Sequence, residues 1–173
     1  MKAIVVYESL WGNTAAIARA IAQGLGADAH ALSTGEVTAE ALAQADLIVA
    51  GAPVHSLGLP SAQTREWARG GGLGPGGAAP DLSHPPMRTW LAGLPRGVGR
   101  GAAFDTRVQA WYGRGGAGRI LRALKQAGYR PLAEGQGFFV SGNRWRPTTD
   151  GTLREGEIER ARQWGAELAR RMA

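Results

Sequence analysis

The strongest constraint on the fold is a regular alternation between short apolar runs and stretches with helical spacing. Ala3–Tyr7 is a continuous β-rich run, which is typical of a strand covered on both faces in a parallel sheet. After residues 8–13, apolar side chains recur every fourth residue, at Ile17, Ile21 and Leu25, and this spacing predicts a helix. Residues 46–51 form a second strongly apolar run. The start of the chain therefore predicts strands joined by helices.

The alternation continues to the end of the chain. Weaker runs predict strands over 27–32, 101–106 and 137–141, and helices are predicted over 39–44, after Pro86, around 120–124 and over 158–172. The segment at about 69–86 is rich in glycine and proline and is predicted to be a flexible loop. Five strands alternating with helices predict an α/β three-layer sandwich with one five-stranded parallel sheet. We expect a single domain over 1–173.

Composition narrows the classes of protein that this chain can represent. The 173 residues contain no cysteine, which excludes disulfides, thiolate metal sites and a cysteine nucleophile. No apolar stretch approaches the roughly 20 residues of a membrane span. We therefore expect a cytoplasmic protein that is not inserted in a membrane, and the histidines show no spacing that indicates a metal site.

The charge of the chain is basic but not concentrated. The net charge is +6, and 18 of the 20 basic residues are arginines scattered along the sequence. Scattered arginines are typical of solvated surfaces, whereas nucleic-acid binding needs a basic patch or stripe. Nucleic acid is therefore not a predicted partner.

The loop after the first strand has the chemistry of a phosphate site. It opens directly into a helix, whose first N–H groups and partial positive charge attract anions. Gly12 allows the backbone to approach a bound anion, and short polar donors stand at Ser9, Asn13 and Thr14. The alternative is a plain helix cap, since these residue types cap helices in many proteins. Four such residues between a buried strand and its helix favour phosphate.

This loop resembles the phosphate loop of the flavodoxin-like FMN-binding family, which reads Thr/Ser-x-Thr-Gly-x-Thr. Ser9, Gly12 and Thr14 match it, and Trp11 stands in place of the middle hydroxyl residue, as in the Ser-x-aromatic-Gly-Asn-Thr variant of bacterial flavodoxin-domain proteins. The resemblance is strongest over residues 1–58. It implies noncovalent FMN, the strand order 2-1-3-4-5, and phosphate contacts from Ser9, Leu10, Trp11, Gly12, Asn13 and Thr14.

The resemblance implies that the loop after the third strand lies beside the isoalloxazine ring. Apolar side chains there suit an aromatic ring, and Gly58 allows a backbone group to turn towards flavin N5. The alternative is a tight turn between a strand and a helix, which also favours proline and glycine. The predicted contacts of this loop are Pro53, Val54, His55, Ser56, Leu57 and Gly58.

His55 is the candidate catalytic residue. An imidazole that titrates near neutrality can supply a proton to a reduced flavin or to a quinone. The alternative is a histidine that only lines the pocket.

The loop after the fourth strand completes the predicted pocket. An aromatic side chain there can stack on the outer face of the flavin, and backbone amides can meet the N1/O2 edge of the ring. Trp111 and Tyr112 can equally pack on the following helix. The predicted contacts of this loop are Asp105, Thr106, Arg107, Trp111, Tyr112 and Gly113.

Competing motifs are weak. Residues 113–118 match G-x-G-x-x-G, but they do not follow the first strand, and a chain with 27 glycines yields such a match by chance. Ser9, His55 and Asp105 could form a hydrolytic triad, but no G-x-S-x-G elbow is present. A G-x-x-x-x-G-K-[ST] phosphate loop is also absent.

The sequence predicts an FMN-dependent redox protein. The leading hypothesis is an oxidoreductase that passes electrons through FMN to a quinone or small-molecule acceptor, with NAD(P)H as donor. The alternatives are a non-catalytic electron carrier that docks on a redox partner protein, and a flavin-free binding module. The basic charge argues against an acidic carrier that docks on basic reductases.

Overall fold

The computed structural model describes residues 1–55, 58–71, 74, 78–109, 115–142 and 151–173, and these contain one parallel sheet of six strands. The strands are β1 (Ala3–Tyr7), β2 (Ala29–Ser33), β3 (Leu47–Pro53), β4 (Arg100–Val108), β5 (Arg130–Pro131) and β6 (Gln136–Val140). Their order in the sheet is β2-β1-β3-β4, with β5 and β6 both pairing β4 at the edge. The predicted order 2-1-3-4-5 is confirmed.

Helices cover both faces of the sheet. The helices are α1 (Asn13–Leu25), α2 (Ala39–Gln44), α3 (Ala62–Gly71), α4 (Met87–Ala92), α5 (Ala117–Gln126) and α6 (Glu157–Met172). One apolar cluster joins α1 and α6 to one face, and a second joins α2, α4 and α5 to the other. No helix within the described ranges is long and apolar enough to cross a membrane.

The fifth strand position differs from the prediction of a single strand over 137–141. It is filled by two short strands, because β5 pairs with the start of β4 and β6 with its end. Pro131 ends β5, and a proline has no N–H to donate to a ladder. The edge position is therefore interrupted where the sequence pattern predicts one run.

Helix α3 was not predicted, and the flexible loop predicted at 69–86 is wrong at its start, since residues 69–71 complete this helix. The Ser61 hydroxyl accepts the Thr64 N–H at 3.2 Å, and the Thr64 hydroxyl accepts the Ser61 N–H at 2.8 Å, which fixes the first turn. The helix lacks a continuous apolar stripe, so periodicity does not reveal it. His84, further along the predicted loop, is buried.

Helices α1 and α6 pack at unusually short range through two glycines. A Cβ on Gly165 would lie 2.2 Å from the carbonyl oxygen of Ile21, and one on Gly24 would lie 2.0 Å from that of Arg162. Both obstacles are backbone atoms, which cannot rotate away. The approach of the two helices therefore requires glycine at both positions.

We expect Gly165→Ala to destabilise the fold by about 3 kcal/mol, because the added methyl forces the two helices apart. Gly118→Ala is the matched control, since a Cβ on Gly118 in α5 would meet no described atom within 4 Å. That variant should gain about 0.5–1 kcal/mol from the lower entropy of its unfolded chain. Urea unfolding measures both, and equal stability of the two variants would contradict the close packing.

Candidate functional site

The three loops singled out in the sequence meet at the carboxyl edge of the sheet. The strand register sets Tyr7 of β1 beside Gly51 of β3, and Pro53 beside Thr106 of β4. The Thr14 and Thr106 hydroxyls share a hydrogen bond of 2.7 Å, and the Val54 N–H donates to the Thr106 carbonyl at 2.9 Å. Hydrogen bonds thus join the third loop directly to the first loop and to the second loop.

A ring contact joins the first loop to the second. The centroids of the Trp11 and His55 rings are 5.6 Å apart, with an angle of 33° between their planes. The Trp11 indole N–H also donates to the Ala78 carbonyl at 3.2 Å. Trp11 is therefore held between the second loop and the segment that precedes α4.

The backbone at Gly12 forms an open cradle. Gly12 precedes the first residue of α1 with φ +89° and ψ −20°, a left-handed conformation that glycine adopts readily. A Cβ at this position would meet no described atom within 4 Å, and a cavity of about 470 Å³ adjoins it. The Ser9 hydroxyl oxygen accepts the Gly12 N–H at 3.1 Å. The cavity is lined by Arg19 and also by Glu36 and Asp81. The left-handed glycine at the start of the helix leaves room for a phosphate group beside Gly12.

Only part of the predicted phosphate loop faces this cavity. Ser9 and Gly12 line it, whereas Leu10 and Thr14 are buried in the protein. The Asn13 amide donates to the Gly151 carbonyl, which ties the loop to the segment before α6. The predicted contacts of Leu10, Trp11, Asn13 and Thr14 with a phosphate stay predictions, and in the structure these side chains position the loop.

A buried polar network that was not predicted from the sequence supports the first loop. The Glu8 carboxylate is fully buried and accepts hydrogen bonds from Arg65 of α3 and from the Met87 N–H, the latter at 2.8 Å. Arg65 also donates to the His84 carbonyl at 2.8 Å, and the His84 ring Nε2–H donates to the Ser9 carbonyl at 3.0 Å. The network therefore fixes two consecutive residues of the first loop.

The charge balance of this network is set by burial. Burial raises the pKa of Glu8, and the hydrogen bonds from Met87 and Arg65 act in the opposite direction. Arg65 is the cation that compensates the carboxylate, with 9% of its side chain exposed. The ion pair is thus largely buried. Loss of one partner of a buried pair has a high cost in folding stability, because the other charge is left without compensation.

The second loop closes on itself through its backbone. The His55 N–H donates to the Gly58 carbonyl at 2.8 Å, and the Gly58 N–H donates to the His55 carbonyl at 3.0 Å. Gly58 is buried, and its N–H is used within the loop rather than turned outwards as expected. Pro53 and Val54 are half-buried, and Ser56 and Leu57 lie outside the described residues. Contacts of this loop with a flavin stay predictions.

His55 does not titrate near neutrality, contrary to the sequence-based expectation. Burial, together with the positive charge of Arg65, lowers the pKa of His55 to about 4. The imidazole is therefore neutral at pH 7 and can share a hydrogen bond, but it holds no extra proton to give.

We expect this shift to make the protein lose stability as the pH falls from about 6.5 to about 4. The unfolded chain protonates His55 in this window while the folded chain does not, so acid favours unfolding. His55→Gln should flatten the stability curve there, measured by urea unfolding at pH 4, 5.5 and 7. His30→Gln, at an exposed position of β2, is the control. A His55→Gln curve parallel to that of the unaltered protein would contradict the shift.

The third loop is anchored by a buried carboxylate. Asp105 is fully buried, and its carboxylate accepts the Ala117 N–H at 2.9 Å and a hydrogen bond from Arg107. Burial raises the pKa of Asp105, and the Ala117 and Arg107 contacts lower it. Oδ2 thus holds the start of α5, while Oδ1 pairs with Arg107 on the same strand. Thr106 contacts the first loop, and Trp111, Tyr112 and Gly113 lie outside the described residues.

Comparisons with known proteins agree with this architecture. Residues 4–65 match the family model described as a flavodoxin domain. An archaeal flavodoxin structure aligns with a TM-score of 0.66 and 22% identity over 99% of both chains. The chain has a flavodoxin-like fold. Oxidised flavodoxin 1 from Bacillus cereus aligns with a TM-score of 0.64 and 19% identity over 98% of both chains.

Further comparisons widen the range of flavodoxin-like neighbours. A flavodoxin, WrbA-like protein from Agrobacterium tumefaciens aligns with a TM-score of 0.57 and 22% identity, over 99% of this chain and 96% of its own. A search of curated proteins gave no significant match. The family model spans the first two loops of this flavodoxin-like chain, including Gly12 and His55, while the third loop lies beyond it. These neighbours have the same fold as this chain.

Proposed function

We propose that the protein binds FMN noncovalently in the cytoplasm and passes electrons through it to a quinone or another small-molecule acceptor. The observation that carries the proposal is the open cradle at Gly12, placed at the sheet edge where the three loops meet. A helix start with a vacant Cβ position and an adjoining cavity suits a phosphate ester. Its position beyond the carboxyl ends of the strands is where open α/β sheets bind ligands.

Different residues of the chain would hold different parts of FMN. Ser9 and Gly12 would hold the phosphate, and the Trp11 and His55 rings offer an aromatic surface next to the cradle. FMN, when bound, supplies the capacity to take up and release two electrons. Because His55 is neutral at pH 7, its role is to hydrogen-bond a flavin or acceptor oxygen rather than to store a proton.

Titration with FMN tests the proposal directly. Addition of FMN to the full-length protein should quench the fluorescence of FMN and shift its visible spectrum, with saturation at one FMN per chain. A protein that leaves the spectrum and fluorescence of FMN unchanged would instead be a flavin-free module on the same fold.

An electron carrier is the second candidate. It is favoured by the likeness of the fold to that of an archaeal flavodoxin, which aligns with a TM-score of 0.66. The two functions differ in a simple assay. An oxidoreductase loaded with FMN oxidises NAD(P)H in the presence of a quinone, whereas a carrier accepts electrons only from a reductase protein.

A further inference from the structure

Two arginines from different helices converge on the second loop. Arg88 lies in the first turn of α4 and Arg119 in the first turn of α5. A Cβ on Gly58 would lie 3.0 Å from Nη1 of Arg119 and 3.6 Å from Nη2 of Arg88. The two guanidinium groups therefore share the space that a side chain at residue 58 would occupy. Both residues are exposed, so they place two positive charges on one accessible part of the surface.

The guanidinium groups retain unused hydrogen-bond donors. Arg88 donates from Nε to the Leu59 and Pro60 carbonyls at 3.1 and 3.0 Å, and from Nη2 to the Leu59 carbonyl at 2.8 Å. These bonds fix the side chain but leave both Nη1 protons and one Nη2 proton, since arginine has five N–H donors. Within the described part of the chain, Arg119 has no hydrogen-bond or ion-pair partner, and Arg88 has no carboxylate partner.

The arginine pair adjoins the proposed flavin site. Gly58 is hydrogen-bonded to His55 across the second loop, and the His55 ring contacts Trp11 next to the cradle. A small molecule that contacts the second loop at Gly58 would meet both guanidinium groups. Their planar donors suit a phosphate, carboxylate or sulfonate, which can accept two parallel hydrogen bonds from each arginine.

We propose that Arg88 and Arg119 form a binding site for the anionic oxyacid group of the small-molecule electron donor or acceptor. The anionic group is held and undergoes no reaction. The inference rests on the proposed function for its redox meaning, but the binding site itself can be tested without electron transfer. The basic net charge of +6 also favours the approach of an anionic ligand.

The test compares two ligands that differ by one anionic group. Calorimetric titration of the oxidised, FMN-loaded protein with 1,4-naphthoquinone-2-sulfonate and with 1,4-naphthoquinone involves no electron transfer, because every component is oxidised. We expect the sulfonate to bind at least tenfold more tightly at low salt, and the preference to shrink in 0.5 M NaCl because salt screens the charges. Equal affinity for the two ligands at low salt would overturn the proposal.

Two variants test whether the arginine pair causes the preference for the sulfonate over the uncharged quinone. Arg119→Gln should lower the affinity for the sulfonate about tenfold and leave that for the uncharged quinone unchanged, since one charged hydrogen-bond partner is lost. Arg130→Gln removes the same charge from the exposed residue that begins β5, beside the start of β4. It should change neither affinity. An equal loss of sulfonate affinity in both variants would mean a general charge effect and would overturn the proposal.

Two further measurements separate the possible outcomes. FMN affinity is measured by fluorescence in the same samples, so that normal FMN binding without a sulfonate preference overturns the anion site alone, while absence of FMN binding overturns the proposed function. The sulfonate titration is then repeated without FMN, in the presence and absence of adenosine 2′,5′-bisphosphate. Competition by adenosine 2′,5′-bisphosphate would support the site and identify a nucleotide donor, whereas sulfonate binding without competition would support it and identify a small-molecule acceptor.

Discussion

Gly12→Val is expected to weaken FMN binding by about 100-fold while riboflavin affinity changes less than about threefold. The valine side chain fills the open space above the cradle, where the phosphate would approach the backbone. Charged hydrogen bonds of this kind contribute about 1.5–3 kcal/mol, which corresponds to roughly 10–150-fold in affinity. Riboflavin lacks the phosphate and therefore does not depend on the cradle. Fluorescence titrations with both ligands measure the difference.

The control for this variant must share the strain of a β-branched residue at positive φ, which costs about 1–3 kcal/mol. Gly156 provides it, because it precedes α6 with φ +81° and ψ −11°, and a Cβ there would also meet no described atom within 4 Å. Gly156→Val should lose a similar amount of stability and keep its preference for FMN over riboflavin. Equal weakening of both ligands by Gly12→Val would place the phosphate elsewhere.

Arg65→Met is expected to cost about 3–5 kcal/mol of folding stability, because it leaves the Glu8 carboxylate buried without its cation. The double variant Glu8→Gln/Arg65→Met should recover part of this loss. Glutamine has no charge to compensate, and its carbonyl oxygen can still accept the Met87 N–H. Urea unfolding of the two single variants and the double variant gives the coupling energy of the pair.

The cost of Arg65→Met should also depend on pH in a definite direction. Burial raises the pKa of Glu8 in the folded protein, and loss of Arg65 raises it further. The folded variant then holds a proton that the unfolded chain releases, so its stability is greatest at low pH and falls as the pH rises through the folded pKa. The deficit relative to the unaltered protein should therefore be smaller at pH 5 than at pH 8.

Arg162→Met is the matched control for the loss of an ion pair. Arg162 pairs with Glu159 on the surface of α6, and the two side chains are 57% and 49% exposed. Exposed pairs contribute little to stability, so this variant should cost far less than Arg65→Met. Similar costs for the two variants, or a deficit at Arg65→Met that does not change with pH, would show that the buried pair is not what stabilises the first loop.

The prediction of the third loop shows where sequence reasoning fails at the site. Asp105, Thr106 and Arg107 follow one another on β4, but alternate residues of a strand face opposite ways, so Asp105 and Arg107 pair on one face while Thr106 lies on the other. Asp105 holds the start of α5 and Thr106 bonds to Thr14 of the first loop. Residue type and position at the carboxyl end of a strand could not separate these roles.

The sequence by itself determined which segments form the central strands and where a glycine precedes the first helix, whereas the order of the strands in the sheet was predicted from the family resemblance. Ala3–Tyr7 and 46–51 were predicted to be strands because strands covered on both faces need continuous apolar runs, and the structure has strands at Ala3–Tyr7 and Leu47–Pro53. The cradle was visible because a helix start, a glycine and short polar side chains are consecutive in the chain. Such local patterns follow from backbone geometry and short-range hydrogen bonding, and they require no knowledge of distant partners.

Only the tertiary structure decided what supports the cradle and how its neighbours ionise. Glu8 and Arg65 are 57 positions apart in the sequence, and Ser9 and His84 are 75 positions apart. No local sequence pattern therefore predicts either contact. The same holds for His55, whose lowered pKa comes from burial and from the nearby Arg65. Desolvation and Coulomb interactions depend on distances through space, and these distances are set only when the sheet, its helices and the intervening loops pack together.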